Sequence, residues 1–540
     1  MDITPELEPD MIEADYVIIG GGTAGCVLAH RLSENGAHRV LVIEAGSARR
    51  SPWVDIPAGF QKLLVSHRHN WRFVTEPEAT TGHRAIAIPR GRGLGGSSLI
   101  NGMIWVRGQP EDYNAWSEMG CDGWSWQAIQ PYFERVDGIG LRHNSTGTGG
   151  MIPVAETEER PYIAELFLKA GHAAGLPQNP NYNAGEQEGV CTYQVNQQHG
   201  QRVSAWHAYL APALRRANLE VLTDASVERI TIDKARATGV IFRRGREVCQ
   251  VRARREVIVA AGAVQSPQLL ELSGVGESPR LQALGIDPLV HNPHVGEHYA
   301  DHFCTRLSWE VRGASTLNQQ TRGLGLAAAV LRYTLTRKGI LTLGTGLAGA
   351  FLRAVPEAER PDVQLFFMHA SYANAAERIL DRHPGITLAV SQLRPKSRGS
   401  IHAVSSDPKV PPAIRANMLS HPEDLRVMIE GMRRARDIVN TAPLAQHCVR
   451  ETAPGPDCHT DAEWEAFARE TGQTIYHASG TCRMGREGES VTDPALRVRG
   501  VDGLRVIDAS VMPAIPSGNT QAAVFALAEK GADLVLDDAR

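Results

Sequence analysis

ADYVIIGGGTAGCVLAHRLSEN, residues 14–35, joins an apolar run to a glycine-rich turn and then to a stretch with small residues on its near face. With HRVLVIEAG, residues 38–46, following it, the pattern predicts strand, tight turn, helix and second buried strand, a βαβ unit. Gly20-x-Gly22-x-x-Gly25 lies where the first strand meets the helix. There Gly20 permits the tight turn, Gly22 lets a pyrophosphate approach the backbone, and Gly25 lets helix pack on strand. The helix start offers oriented N–H groups and partial positive charge to phosphates. Glu44 closes the second strand, at the offset where a carboxylate accepts from both ribose hydroxyls. An adenine dinucleotide site follows. The fingerprint does not separate FAD from NAD, but further Gly-rich and polar turns aimed at the same ligand favour FAD.

At 540 residues the chain is too long for one core, so two domains, interleaved in sequence, are expected. A net charge of −4 gives no reason to expect nucleic acid or an anionic membrane surface as partner. The 8 cysteines are scattered without a CxxC pair, which indicates neither a disulfide framework nor a zinc ribbon and suits reduced thiols. The N-terminus, MDITPELEPDMIEADYVIIGGG, is acidic and does not read as a signal peptide. The longest uncharged stretch, residues 339–352, is too short and Gly-rich for a membrane span. A soluble, cytoplasmic protein with no membrane span is the expectation; oligomeric state is not legible.

PRGRGLGGSSLINGMIWVRG (89–108) reads as a Gly-rich loop feeding a helix, and NLEVLTDASVERITID (218–233) as two strands joined by a turn. REVIVAAGAVQSPQLLELSGVG (255–276) is a strand-to-helix unit, and residues 503–536 repeat strand, long turn, helix. Between roughly 300 and 475 the pattern changes to an amphipathic helix (424–440) and antiparallel strands such as PDVQLFFMHA and GITLAVSQLRP. The two ends of the chain are thus expected to build one α/β domain with a mixed domain inserted.

Gly91-Arg92-Gly93-Leu94-Gly95-Gly96-Ser97-Ser98-Leu99-Ile100-Asn101 resembles the first signature of the glucose-methanol-choline (GMC) flavoprotein oxidoreductases. Gly262 through Leu270, running on to Gly276, resembles the second; Val506–Asn519 and the HASGTCRMG segment are similar to that family too. The resemblance implies a Rossmann-type FAD-binding domain (1–155, 205–300, 478–540) and an α+β substrate domain with an antiparallel sheet (156–204, 301–477). It implies FAD-dependent oxidation of an alcohol, expected to be primary, to the aldehyde by hydride transfer to flavin N5, with O2, a quinone or a dye as acceptor. Carried over by position, the cofactor set is Gly20, Gly22, Thr23, Ala24, Gly25, Glu44, Ala45, Arg92, Gly95, Gly96, Ser97, Asn101, Gly102, Met103, Ile104, Val227, Asp508, Ala509, Asn519 and Thr520. Several members bond a histidine covalently to flavin two residues before the Arg-Gly of the first signature. Ile88 stands there, so non-covalent FAD is implied.

Hydride leaves an alcohol only as its hydroxyl proton leaves, so a base is required, and histidine suits neutral pH. The resemblance assigns His477 that role, with Asn519 as its partner on the substrate oxygen. Asn519 and Thr520 also precede an apolar helical run and read equally as a helix N-cap. A redox-silent lyase of the hydroxynitrile type and a fatty-acid photodecarboxylase are the alternatives on this scaffold. HNPHVGEHYADH (291–302) spaces His298 and His302 like metal ligands on a helix, but a comparable Pro-x-Val-Gly…Asp-His segment belongs to the family without metal, so none is expected. Histidines 67, 69 and 83 are expected on a solvated loop near the substrate entrance. Cys482, five residues after His477, and the Trp116/Trp124/Trp126 cluster are expected to be packing.

Overall fold

A computed structural model describes residues 12–49, 51–138, 149–375 and 377–539; the acidic N-terminal stretch, residues 1–11, lies outside the described residues. Two seven-stranded sheets organise the chain. In the first, the spatial order is Leu219–Leu222, Val40–Ile43, Ile12–Ile19, Glu247–Val259, Arg236–Arg244, Ala225–Asp233. The first four run parallel and the last two complete an antiparallel meander. Glu247–Val259 is long enough to serve two ladders on one edge. Its first half pairs antiparallel with Arg236–Arg244, and Val257–Val259 pairs parallel with Leu504–Val506. The distant C-terminal strand therefore docks into the sheet begun at residue 12. Val40–Ile43 is buried along its whole length, as a parallel strand covered on both faces must be. Helices Thr23–Leu32 and Gln521–Asp538 pack against each other beside this sheet.

The second sheet is antiparallel throughout, in the order Cys448–Ala453, Phe303–Val311, Gly385–Gln392, Val363–Met368, Ala348–Leu352, Gly189–Thr192. Its side chains alternate between two buried environments. Phe303, Leu307, Leu365, Phe367, Leu388 and Val390 join the apolar core that also takes side chains from helices Tyr162–Ala173 and Pro422–Val439. Cys304, Arg306, Phe366, Met368 and Ala389 face a cavity instead.

The strands read in PDVQLFFMHA and GITLAVSQLRP run over Val363–Met368 and Gly385–Gln392 and pair with each other, and the amphipathic helix spans Pro422–Val439. Residues 218–233 do hold two strands, yet these join different neighbours instead of forming a hairpin. The Gly-rich loop at 89–108 does feed a helix, which begins just past it at Pro110–Glu118. The segment makes one 3₁₀ turn, Gly96–Leu99, and then runs extended to the next helix at Pro110. Gly93, Gly95 and Gly96 take φ of +125°, +110° and +52°, which no right-handed helix accommodates, and Trp105 and Ile104 are drawn into pairing with Gln194 and Val195. Among the described residues no helix is long and apolar enough to cross a membrane.

Candidate active site

A cavity of about 760 Å³ runs from Gly20, Gly22 and Glu44, at the strand ends of the first sheet, to His477 and Asn519 and the second sheet. At its first end two glycine loops nest. Gly95 N donates to Gly21 O at 2.7 Å, and a Cβ on Gly96 would stand 2.7 Å from Gly22 Cα. A Cβ on Gly25 would lie 1.9 Å from Gly20 O, so that glycine is demanded by helix–turn packing. Gly22 differs: a Cβ there would meet nothing closer than 3.9 Å, and no side chain caps the helix it precedes. The space is left toward the cavity. It is a cradle fit for a ligand's pyrophosphate against the helix start, as FAD requires.

Glu44 is already committed to the fold. Its carboxylate accepts from Gly21 N (2.8 Å), Gly46 N (2.7 Å) and Gly93 N (2.9 Å), tying the first glycine loop to the second. With two of those bonds on Oε1, Oε2 keeps the spare acceptor capacity for a ribose hydroxyl. Thr23, Ala24, Ala45, Arg92, Ser97 and Val227 line the same cavity, as do Gly96, Gly102, Met103, Ile104, Asp508, Ala509 and Thr520. Gly25 and Gly95 hold its wall from behind without lining it. Arg92 stacks its guanidinium 4.7 Å from the Trp71 ring. Asp508 accepts from Gly262 N, Ser266 Oγ and Ser510 N, fastening the second signature to the C-terminal turn. Asn101 lines the cavity with its carbonyl oxygen taken by Arg202 Nη1 (2.5 Å) and Met103 N (3.2 Å), so the group it presents is the donating amide nitrogen.

At the far end, His477 is 8% exposed and its ring is fixed at both nitrogens. Leu393 O, which can only accept, lies 3.1 Å from His302 Nε2, so that nitrogen carries the proton. Burial holds the His302 pKa down at about 4, so the ring is neutral and its Nδ1 is an acceptor. His477 Nδ1, 2.8 Å away, must then be the donor. Its Nε2 is left as a lone pair, and Asn519 Nδ2 donates to it at 3.2 Å. Gln364 Nε2 donates in turn to Asn519 Oδ1 at 3.3 Å, which fixes the amide's orientation. Burial, then His302 and Arg90, push the His477 pKa well below the ordinary histidine value. Asn519 thus turns its side chain to the histidine, while the helix Gln521–Asp538 begins after Thr520 with no side-chain cap.

The backbone here is held under strain. Tyr476 sits at φ +74°, the left-handed region that bulky residues avoid. Arg90 Nη2 grips its carbonyl at 2.6 Å, and Asp301 Oδ1 accepts from His477 N at 2.8 Å. Asp301 is itself held by Tyr299 and Thr474 hydroxyls. Asp301 and His302 are the residues sequence reasoning missed. They closed the histidine-rich segment weighed for metal, and the Asp-His pair there was the available signal. That segment is not a helix: His298 lies at φ +62° and stacks on His294, whereas His302 turns to His477.

His69 is buried at 8% exposure against Ser66, contrary to the solvated position expected for it, because residues 68–72 pair back onto the first signature. His67 and His83 are exposed. Cys482 is fully buried with its thiol pKa pushed far up by burial, and neighbouring Arg483 turns away to Glu489 O. Trp116 and Trp124 pack in an aromatic group with Tyr113 and Phe133, and neither lines the cavity.

Comparison with known proteins agrees with this architecture. The GMC oxidoreductase model matches in two parts, residues 14–304 and 395–528. The chain is 38% identical to an alcohol dehydrogenase (acceptor) of Pseudomonas putida, over 97% of this chain and 95% of that protein. It is also 38% identical to an oxygen-dependent choline dehydrogenase of Rhizobium rhizogenes, over 98% and 96%. Pyridoxine 4-oxidase from Mesorbium loti superposes with a TM-score of 0.87 at 30% identity, covering 96% of this chain and 98% of that one.

Proposed function

The chain belongs to the GMC oxidoreductase family, and from that premise we propose that it is an FAD-dependent enzyme oxidising a primary alcohol to its aldehyde, with His477 as the base. The observation that carries this reading is the hydrogen-bonded chain Leu393 O–His302–His477–Asn519, which leaves the lone pair of His477 Nε2 beside the Asn519 amide in the cavity wall. An alcohol entering between the two displaces their hydrogen bond. Its hydroxyl donates to His477 Nε2, and Asn519 Nδ2 donates to its oxygen. Bound FAD supplies the hydride acceptor.

As the proton moves to Nε2, His302 Nδ1 continues to accept from His477 Nδ1 and steadies the ring in its catalytic tautomer. Asp301, through the His477 amide, fixes the backbone that carries the ring. The cofactor residues carried over from the family line or brace one wall, with Gly22 and Asn101 presenting a clear backbone and an amide donor. FAD is held without a covalent bond. Ile88 is fully buried beside Phe73 in the apolar core, and His477 is the one histidine among the described residues lining the cavity. The electrons pass on to oxygen or a quinone. Anaerobic mixing of the holoenzyme with a panel of alcohols tests the reading: at least one primary alcohol bleaches the flavin. Bleaching by none of them would reject it. Reoxidation by oxygen against a quinone then assigns the acceptor.

A further inference from the structure

Helix Gly323–Thr336, GLGLAAAVLRYTLT, turns its apolar residues outward. Leu324, Leu331 and Leu335 are 90%, 60% and 74% exposed. At 100° per residue the three leucines fall within about 20° of one line, opposite inward-facing Tyr333. A helix apolar on its outer ridge calls for a partner that the described residues do not supply. The surrounding sequence has no acid from Val311 to Pro356, while Arg312, Arg322, Arg332, Arg337, Lys338 and Arg353 are basic, in a chain of net charge −4. Arg332 and Lys338 pair with Glu159 and Glu158; Arg322 and Arg337 have no carboxylate partner among the described ion pairs.

The residue that precedes this helix holds a segment that lines the cavity. Arg322 donates to the carbonyls of Leu380, Asp381 and Arg382, at the foot of the Tyr372–Leu380 hairpin whose Tyr372 and Arg378 line the cavity. Gln61 Nε2 donates to Tyr372 Oη at 3.2 Å, and the turn Pro57–Gly59 packs on Ile340–Thr342 just beyond the helix. The three segments thus form a linked collar, two of whose members line the cavity. Its other two members also expose apolar side chains, Trp53 and Val65 on one and Ile379 on the other.

We propose that this collar, led by the Leu324–Leu331–Leu335 ridge, docks on the surface of an anionic phospholipid bilayer, with the cavity mouth facing the lipid. Basic flanks around an outward apolar ridge match an anionic interface, where leucines sink below the headgroups and arginines meet them. A second copy of the chain fits less well, because a two-fold antiparallel pairing of the helices would bring the Arg322 end of one against the Arg337 end of the other. The inference goes beyond alcohol oxidation and does not depend on it.

The test is co-sedimentation of FAD-loaded enzyme with vesicles of phosphatidylcholine alone or mixed equally with phosphatidylglycerol. The enzyme is expected to pellet with the anionic vesicles and to be released by salt. Leu324→Ser/Leu331→Ser/Leu335→Ser should lower partitioning roughly tenfold or more while bound flavin and melting temperature stay unchanged. Arg337→Glu/Lys338→Glu should weaken binding to anionic vesicles alone. Failure to pellet with either vesicle overturns the proposal. So does a dimer, seen by light scattering, that the leucine variant dissociates.

Discussion

His302 Nδ1 and His477 Nδ1 stand 2.8 Å apart with their ring planes at 86°, so one histidine dictates which nitrogen of the other carries the proton. Replacing His302 by Phe should free the His477 tautomer while leaving Asn519 and the cofactor wall in place. kcat should fall by about 10- to 100-fold, the scale seen when outer partners of functional histidines are lost, with KM little changed. His302→Asn, which can again offer an acceptor, should recover part of it. A purely packing role would show as lost stability without that split.

His477→Ala removes the proposed base. Flavin reduction in anaerobic single turnover should slow by roughly 10²- to 10⁴-fold, with FAD content unchanged. Asn519→Ala should act in the same direction and to a smaller degree. Unchanged single-turnover reduction by an otherwise good substrate would place the base elsewhere.

The pH dependence follows from the depressed His477 pKa. A base whose pKa is lowered stays unprotonated as pH falls through the usual histidine range, so the acid limb of kcat/KM should lie below 6.5. Stability moves the same way. His302 and His369, each held near 4 in the fold, take up protons more readily once unfolded. The chain therefore loses stability as pH drops from 6.5 toward 4. His369→Phe should flatten that slope in thermal melts. An acid limb at or above 6.5 would contradict the buried, neutral ring.

Gly22 and Gly25 separate ligand binding from folding. Gly22→Ala puts a methyl into open space and should yield a folded protein whose FAD dissociation constant rises at least about tenfold, since the pyrophosphate needs that approach. Gly25→Ala drives a Cβ into Gly20 O and should cost folding itself. Thermal melts of the apo forms, set beside flavin titrations, distinguish the two.

Acid precipitation should leave the yellow colour in the supernatant. Colour retained on the pellet would mean a covalent link that Ile88 cannot make.

The fold was legible wherever one local pattern carried it. The Gly20–Gly25 turn, the buried run at 40–43 and the strands at 363–368 and 385–392 each follow from periodicity or from a backbone position only glycine takes. What escaped depends on contacts distant in the chain. His302 reaches His477 across 175 positions and Gln364 reaches Asn519 across 155, and no spacing announces such pairs. The helix fed by the first signature begins only at Pro110, since the glycines before it had other conformations to adopt. A whole-chain balance of −4 also averages away the acid-free stretch around Leu324.

Alternation along the second sheet makes two properties independently mutable. Cys304, Phe366, Met368 and Ala389 meet the cavity, while their neighbours Phe303, Leu365, Phe367 and Leu388 meet the helices behind. Substitutions of one parity reshape what the enzyme accepts, and those of the other determine whether it survives heating. A library confined to the cavity parity should therefore be rich in altered substrate range and poor in unfolded clones. The same number of changes one residue along should give the reverse.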